Sequence, residues 1–280
     1  MILMSNNQWK CDTNKWRDIG DDCSAEARVG GLVRAYKEVM PDVLGLQEVS
    51  EHMADLMMAE LQCIDLGDGK TARYSHISGG DTPIVYRSDK LKLLESGFFL
   101  YSEQIDGFEG SFNNHESKSY CFGVFEDRET GKRFALMTTH LWWKSETAQA
   151  GSDEMRERQA AEIVAEADSL IAKYGVPVWV MGDFNTRTTS AAFRVFTSGG
   201  FKDAFDIATA YADDNSGYHT CTRQTFARET QLRPYKSNAI DHILFKNPGA
   251  TEGLTFNHIR PYFYIKLSDH YPLYADAKLG

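Results

Sequence analysis

The sequence predicts an α/β protein of the mixed α+β kind, with hairpins as well as crossovers, folded as one domain over residues 1–280. Three observations carry that expectation. Apolar residues recur at helical spacing in long segments, and short apolar runs of strand-like composition recur between them. The turn Arg128-Glu-Thr-Gly-Lys132 joins two such runs directly, which marks a hairpin and disfavours a purely parallel, doubly wound sheet. Hydrophobic residues make up 42% and aromatic residues 12% of 280, enough for a substantial core, and no repeat, low-complexity tract or Pro/Ser-rich linker divides the chain.

Taken in order, Ile2 to Asn7 reads as a short opening strand. Between Ala27 and Met40 the positions Val29, Leu32, Val33, Tyr36 and Val39 follow helical spacing, with Pro41 as the stop. Asp42 to Val49 is a buried strand ending in polar residues, and Ser50 is placed to cap a helix running to about Leu61. Pro83 to Arg87 and Lys92 to Leu100 are strands, followed by a polar loop from Tyr101 to Ser119. Tyr120 to Asp127 and Arg133 to Leu141 form the hairpin around Gly131. Met155 to Tyr174 is the strongest helix, with Ile163, Val164, Leu170 and Ile171 along one side. Pro177 to Met181 is an apolar strand that runs into Gly182-Asp-Phe-Asn185, and Ala239 to Phe245, Leu254 to Ile259 and Tyr271 to Ala277 have strand composition.

Composition narrows the function. No apolar run approaches the roughly 20 residues needed to cross a bilayer, and Met1 to Trp9 has neither the basic flank nor the apolar run of a secretory signal, so cytoplasmic residence is the expectation. Cys11, Cys23, Cys63, Cys121 and Cys221 are odd in number and never paired as CxxC, which argues against a disulfide framework and a zinc-thiolate site. A formal charge of −10 disfavours duplex DNA as a partner, while a small phosphoester whose charge a bound cation neutralises locally remains compatible with it.

Several apolar strands end in polar residues, and strand ends can direct many side chains into one cleft. The endings are Ser5-Asn-Asn7, Leu46-Gln-Glu48, Thr138-Thr-His140, Gly182-Asp-Phe-Asn185, Ile240-Asp-His242 and Ser268-Asp-His270. Singly, each has an ordinary reading: Asn7 a turn residue, Glu48 a surface carboxylate, Asp183 and Asn185 an Asx turn, the histidines structural. Read in order, an N-terminal Asn followed by LQEV, THL, GDFN, IDHI and SDHYPL resembles the motif series of the endonuclease/exonuclease/phosphatase superfamily, the deoxyribonuclease-like metal-dependent phosphoesterases.

The resemblance implies a four-layer α/β/β/α sandwich, two packed mixed β-sheets flanked by helices. It implies that Glu48 is the principal ligand of Mg²⁺ or Mn²⁺, with Asn7 and Asp269 as direct or water-mediated partners; hard oxygen donors suit such an ion. It implies that Asp183 orients or deprotonates the attacking water, that Asn185 holds that water or a phosphate oxygen, and that His140 and His270 donate to the phosphoryl oxygens. Asp241 would pair with His270 and keep it protonated. His242, by strand alternation, points away from Asp241 and packs or faces solvent.

Substrate contacts are less specified. Lys118 stands where some relatives carry an Arg, and a solvated loop lysine is the equal alternative. Trp142 or Trp143 could stack on a substrate ring, core packing being simpler for at least one. Arg158 and Arg156 could reach a phosphate or pair with Glu154, Glu157 and Glu162. His76 and His115 are possible substrate-loop residues, and the basic stretch Thr220 to Lys236 is either a lid or a solvated loop. The expected function is a phosphoesterase cleaving a small or single-stranded diester or monoester; the alternatives are a nuclease on DNA or RNA, or an inactive binding module of the same fold.

Overall fold

Residues 1–10, 22–211, 239–247, 255–258 and 267–278 are described by the computed structural model. Strand β1 (Ile2–Asn7) is followed by α1 (Ala25–Val39), which Ser24 caps by accepting from the Ala27 N–H and which ends where Met40 turns left-handed just before Pro41. Strand β2 (Val43–Gln47) and helix α2 (Glu51–Leu61) match expectation, Ser50 accepting from the Met53 N–H. The stretch between α2 and Pro83 carried no expected elements but forms β3 (Ile64–Gly67), β4 (Lys70–Ala72) and β5 (Tyr74–Ile77). Among the described residues β3 and β4 pair only with each other, and they are mostly exposed, so no buried face imposed an apolar alternation on their sequence.

β6 (Ile84–Arg87), β7 (Leu91–Leu100), β8 (Ser119–Asp127) and β9 (Arg133–His140) lie where expected, and β8 and β9 form the anticipated antiparallel hairpin with Gly131 at φ +70°. Helix α3 (Ser152–Tyr174) starts a turn earlier than its apolar pattern, and β10 (Val178–Asp183) extends through the polar Asp183. The short α4 (Ala191–Ser198), β11 (Lys202–Asp203), α5 (Ala204–Ile207) and β12 (Ala210–Tyr211) are too brief for periodicity to mark. β13 (Asp241–Lys246), β14 (Thr255–His258) and β15 (Leu273–Asp276) complete the order.

The strands assemble into a seven-stranded sheet, β12-β14-β15-β1-β2-β6-β5, and a six-stranded sheet, β11-β13-β10-β9-β8-β7. Both are mixed, with β1–β2 and β9–β10 parallel inside otherwise mostly antiparallel sheets. Strand alternation sorts neighbouring residues into different layers. Leu3, Val43, Leu136, Trp179 and Met181 meet between the sheets. Met4, Leu44 and Leu46 pack under α1 and α2 beside Leu32, Tyr36 and Met53, while Met137, Val178 and Val180 pack under α3 and α4 beside Ile163 and Phe196. The four-layer sandwich follows, and burial on both faces explains why the central strands read as unbroken apolar runs.

Polar bonds between the sheets fix their relative position at the end that carries the motifs. Gln47 Nε2 donates to Thr138 Oγ1 at 2.8 Å, and Thr138 Oγ1 donates to Leu46 O at 3.2 Å. Gly182 sits at φ +145°, where an added Cβ would lie 2.0 Å from Thr139 O. Gly182→Ala is therefore expected to cost about 3 kcal/mol or more through backbone strain and overpacking, read as a lower urea midpoint at unchanged m-value. A wild-type midpoint would mean that β9 and β10 can separate freely.

Candidate active site

Pairing register gathers the motif residues. In the six-stranded sheet Asp183 at the end of β10 lies opposite His140 on β9 and Asp241 on β13. In the other sheet Asn7 lies opposite Gln47, and Glu48 follows directly in a left-handed conformation, φ +54°. A non-glycine residue pays for that backbone only where the surroundings hold it, and here it breaks the strand so that the carboxylate turns toward the other sheet. Asn7 bridges the two sheets: its Nδ2 donates to Glu48 Oε1 at 3.0 Å and to Asp183 Oδ2 at 3.1 Å, while its Oδ1 accepts from the Trp9 N–H at 2.9 Å. Asn7 thus orients two carboxylates, and its own carbonyl oxygen is already engaged.

His270 Nδ1 donates to Asp241 Oδ2 at 2.7 Å, and its Nε2 lies 3.8 Å from Asp183 Oδ2. Burial opposes a charge on this imidazole, but the carboxylate and hydrogen bond of Asp241, with Asp183 and Asp269 nearby, overcome it and hold the pKa well above its ordinary value. His140 goes the other way. Burial first, then the positive charges of Lys118 and His270, push it well below its ordinary value, so it is neutral, and Lys118 Nζ stands 2.5 Å from its Nε2. The buried Lys118 is lowered to about 8 by desolvation, with Glu48, Asp183 and Asp81 pulling it back up. Its loop-lysine alternative is thereby excluded, since it is almost fully buried and lines the cleft.

Burial raises Asp183 to about 6, Asp241 adding to the rise while His270 and Lys118 offset it. Burial likewise raises Asp269 to about 7, against the pull of His270 and with Glu48 and Asp183 adding to it. Asp269 Oδ1 is buried and, among the described residues, has no hydrogen-bond partner. An unpartnered carboxylate oxygen beside two further carboxylates is a place where a cation would satisfy the group, and the donors are hard oxygens. Glu48, His140 and Asp183 also present ligand atoms within 4.8 Å of one another. The residues present fit a divalent metal ion. Asn185, at φ +50°, donates its backbone N–H to Asp183 Oδ1 at 2.8 Å and its Nδ2 to Leu141 O at 3.0 Å, so it both orients Asp183 and faces the cleft.

The cleft has a volume of about 690 Å³. Four expected substrate contacts, Trp142, Arg158, Arg156 and His76, lie outside its lining. Trp142 is fully buried, packed edge-on to Phe112 with its Nε1 donating to Ser152 Oγ at 3.1 Å, so core packing claims it, and of the adjacent pair Trp143 lines the cleft, as does Trp9. Arg158 is half exposed and ion-paired to Glu154 one turn away at 2.6 Å. Arg156 is buried and holds the Trp142 and Lys144 carbonyls. His115 reaches the cleft while His76, on β5, is absent from its lining; His242 is buried against Phe184 and Phe193, as alternation required. Thr220 to Lys236 lies outside the described residues.

Sequence reasoning missed Arg28. Its buried guanidinium donates to the carbonyls of Cys23, Gln8, Trp9 and Leu267, tying the loop after β1 to the segment that carries Asp269 and His270. The available signal was a charged residue four positions before Leu32, on the apolar face of α1. Lys10 and Asp81, paired at 2.6 Å on the cleft wall, lay outside every motif.

A sequence profile of the endonuclease/exonuclease/phosphatase family matches residues 20–270. The chain is 23% identical over 192 residues to the CCR4-Not complex 3′-5′-exoribonuclease subunit Ccr4 of Candida albicans, an alignment covering 58% of this chain and 24% of that protein. The chain thus spans about a quarter of that relative's length. Among solved structures, an endonuclease/exonuclease/phosphatase family protein of Bacteroides thetaiotaomicron superposes with a TM-score of 0.72 at 20% identity, over 98% of this chain and 93% of the other. A mannosyl-6-phosphatase of the same organism superposes with a TM-score of 0.72 at 18% identity over 100% of both chains. Both share the fold described above.

Proposed function

This chain belongs to the endonuclease/exonuclease/phosphatase family, and on that premise we propose that it is a Mg²⁺- or Mn²⁺-dependent hydrolase of a small or single-stranded phosphoester. The observation that carries the reading is the convergence, in one cleft, of a buried carboxylate, Asp183, with the His270–Asp241 dyad, buried Lys118, and the carboxylates of Glu48 and of Asp269, whose Oδ1 has no hydrogen-bond partner among the described residues. Glu48 and Asp269 would hold the ion, with Asn7 fixing the Glu48 carboxylate. The ion would supply charge neutralisation on the phosphoryl and leaving oxygens.

Asp183, oriented by Asn7 and by the Asn185 N–H, takes the proton of the attacking water as its oxygen bonds to phosphorus. Protonated His270 and Lys118 donate to the phosphoryl oxygens, whose charge grows as the ester P–O bond breaks, and neutral His140 holds Lys118 in place. The leaving alkoxide takes a proton from water. An inactive binding module would be expected to have lost one of these groups, and each stands in the cleft or contacts one that does.

The test is hydrolysis of bis(p-nitrophenyl) phosphate, p-nitrophenyl phosphate, single-stranded and duplex oligonucleotides, an inositol phosphate and sphingomyelin with Mg²⁺, Mn²⁺ or EDTA. Turnover that needs metal supports the reading; none on any ester, with metal bound, sinks it. Duplex activity with a steep salt dependence would move the substrate class to DNA.

The raised pKa values of Asp183 and Asp269 carry a stability consequence. Both groups hold protons in the folded state that they release when unfolded, so from about pH 4 up to about pH 7 folding binds protons and metal-free stability falls as pH rises. A divalent ion offsets the uncompensated carboxylates only once they are charged. The Tm gain from Mg²⁺ or Mn²⁺ is therefore expected to be larger at pH 8 than at pH 5. An equal gain at both would remove these carboxylates from the ion site.

A further inference from the structure

We propose that the outer part of the cleft is a leaving-group subsite for a singly phosphorylated, hydroxyl-rich ring compound, a sugar phosphate, with Trp143 as its stacking face and Asp81 as its hydroxyl acceptor. The inference rests on the phosphoesterase reading above. Trp143 is 57% exposed beside a fully buried Trp142, with Lys144 Nζ 5.7 Å from its ring centroid, an exposure that leaves indole surface for a ligand to cover. Its loop is rigid: buried Arg156 donates to Trp142 O at 3.0 Å and to Lys144 O at 2.6 Å, pinning the backbone on either side of Trp143. An indole held this way stacks without losing loop entropy on binding.

A second wall is equally preorganised. Buried Asn113 clamps its loop with three bonds, donating to Tyr101 O at 2.7 Å and Lys118 O at 2.8 Å and accepting from the Lys118 N–H at 2.7 Å. His115 and Glu116 are both held left-handed, at φ 60° and 54°, a strain that persists where the surroundings enforce it. Asn114, His115 and Ser117 line the cleft from this loop, so its surface is amide, imidazole and hydroxyl. The loops of the other sheet contribute Asp81, whose carboxylate also meets Lys10.

Charge selects among ligands. Beyond Lys118 at the reaction centre, the lysine lining the described cleft is Lys10, and Asp81 already matches it at 2.6 Å. Beyond Lys118, no lysine or arginine among the described lining residues lacks an acidic partner, and Lys144, 5.7 Å from the Trp143 ring centroid, donates to Gln149 Oε1 at 3.0 Å, so the described lining suits one phosphate better than two. A cleft that presents an exposed indole together with a carboxylate, an amide and the Ser117 hydroxyl is suited to the C–H face and hydroxyls of a sugar ring, within a volume of about 690 Å³.

The experiment measures kcat/KM by phosphate release, with Mg²⁺, for glucose 6-phosphate, mannose 6-phosphate, adenosine 5′-monophosphate and ethyl phosphate, which has neither ring nor hydroxyls. Wild-type protein should prefer a hexose phosphate to the other two. Trp143→Ala and Asp81→Asn should each lower the hexose-to-ethyl ratio about tenfold, mainly through KM, and Trp143→Phe should restore most of it. An unchanged ratio in both alanine and asparagine variants, or a preference for adenosine 5′-monophosphate, would overturn the subsite. Turnover of p-nitrophenyl phosphate without any hexose phosphate would overturn it too, leaving the phosphoesterase reading intact; no turnover on any ester would remove both.

Discussion

Asp183→Asn is expected to lower kcat by about 10³-fold or more while leaving metal affinity within a few-fold of wild type. Asp183 is buried at the end of β10, its Oδ1 accepting from the Asn185 N–H and its Oδ2 from Asn7 Nδ2. Asparagine has nearly the same shape, so packing survives, but an amide cannot take a proton from water. Steady-state kinetics paired with isothermal titration of Mn²⁺ separates the two effects. Loss of metal binding in step with kcat would make Asp183 a ligand, consistent with its place near Glu48 and His140, and would shift the base to another group.

The second large effect concerns the dyad. His270→Ala and Asp241→Ala are each expected to lower kcat by about 10²–10⁴-fold, and the double variant scarcely further. The two side chains act as one unit: without Asp241 the buried imidazole loses the charge that keeps it protonated, and without His270 a buried carboxylate has lost its 2.7 Å partner. The pH profile gives an independent readout. Because Asp241 raises the His270 pKa, Asp241→Asn should move the alkaline limb of activity to lower pH. Multiplying losses in the double variant, or an unmoved limb, would show that the pair is not a functional unit.

The legible part of this protein is the part written in local periodicity. Helices α1, α2 and α3 could be read because apolar residues repeat every third to fourth position, and strands β1, β2 and β6 to β10 because short runs of strand-like composition stand between turn and polar residues. Exposed β3 and β4 and the short α4 and α5 carry no such repeat. The candidate site residues were legible for a different reason: Asn7, Glu48, His140, Asp183, Asp241 and His270 each have an ordinary reading alone, but together they fall in an ordered series of polar strand ends that resembles the family's motifs.

What the chain alone determined is therefore the set of elements and the identity of the polar strand ends. Tertiary structure decided which indole faces the cleft, since Trp142 and Trp143 are equal in sequence and differ only in which side of the strand end meets Phe112. It decided that Lys118 is a buried cation beside His140 while Arg158 is a surface ion pair, and that Arg28 staples the loops behind the site. These outcomes depend on distances between residues far apart in the chain, set by the packing of two sheets. Burial, which turns a lysine from a solvated charge into a poised one, exists only once that packing has formed.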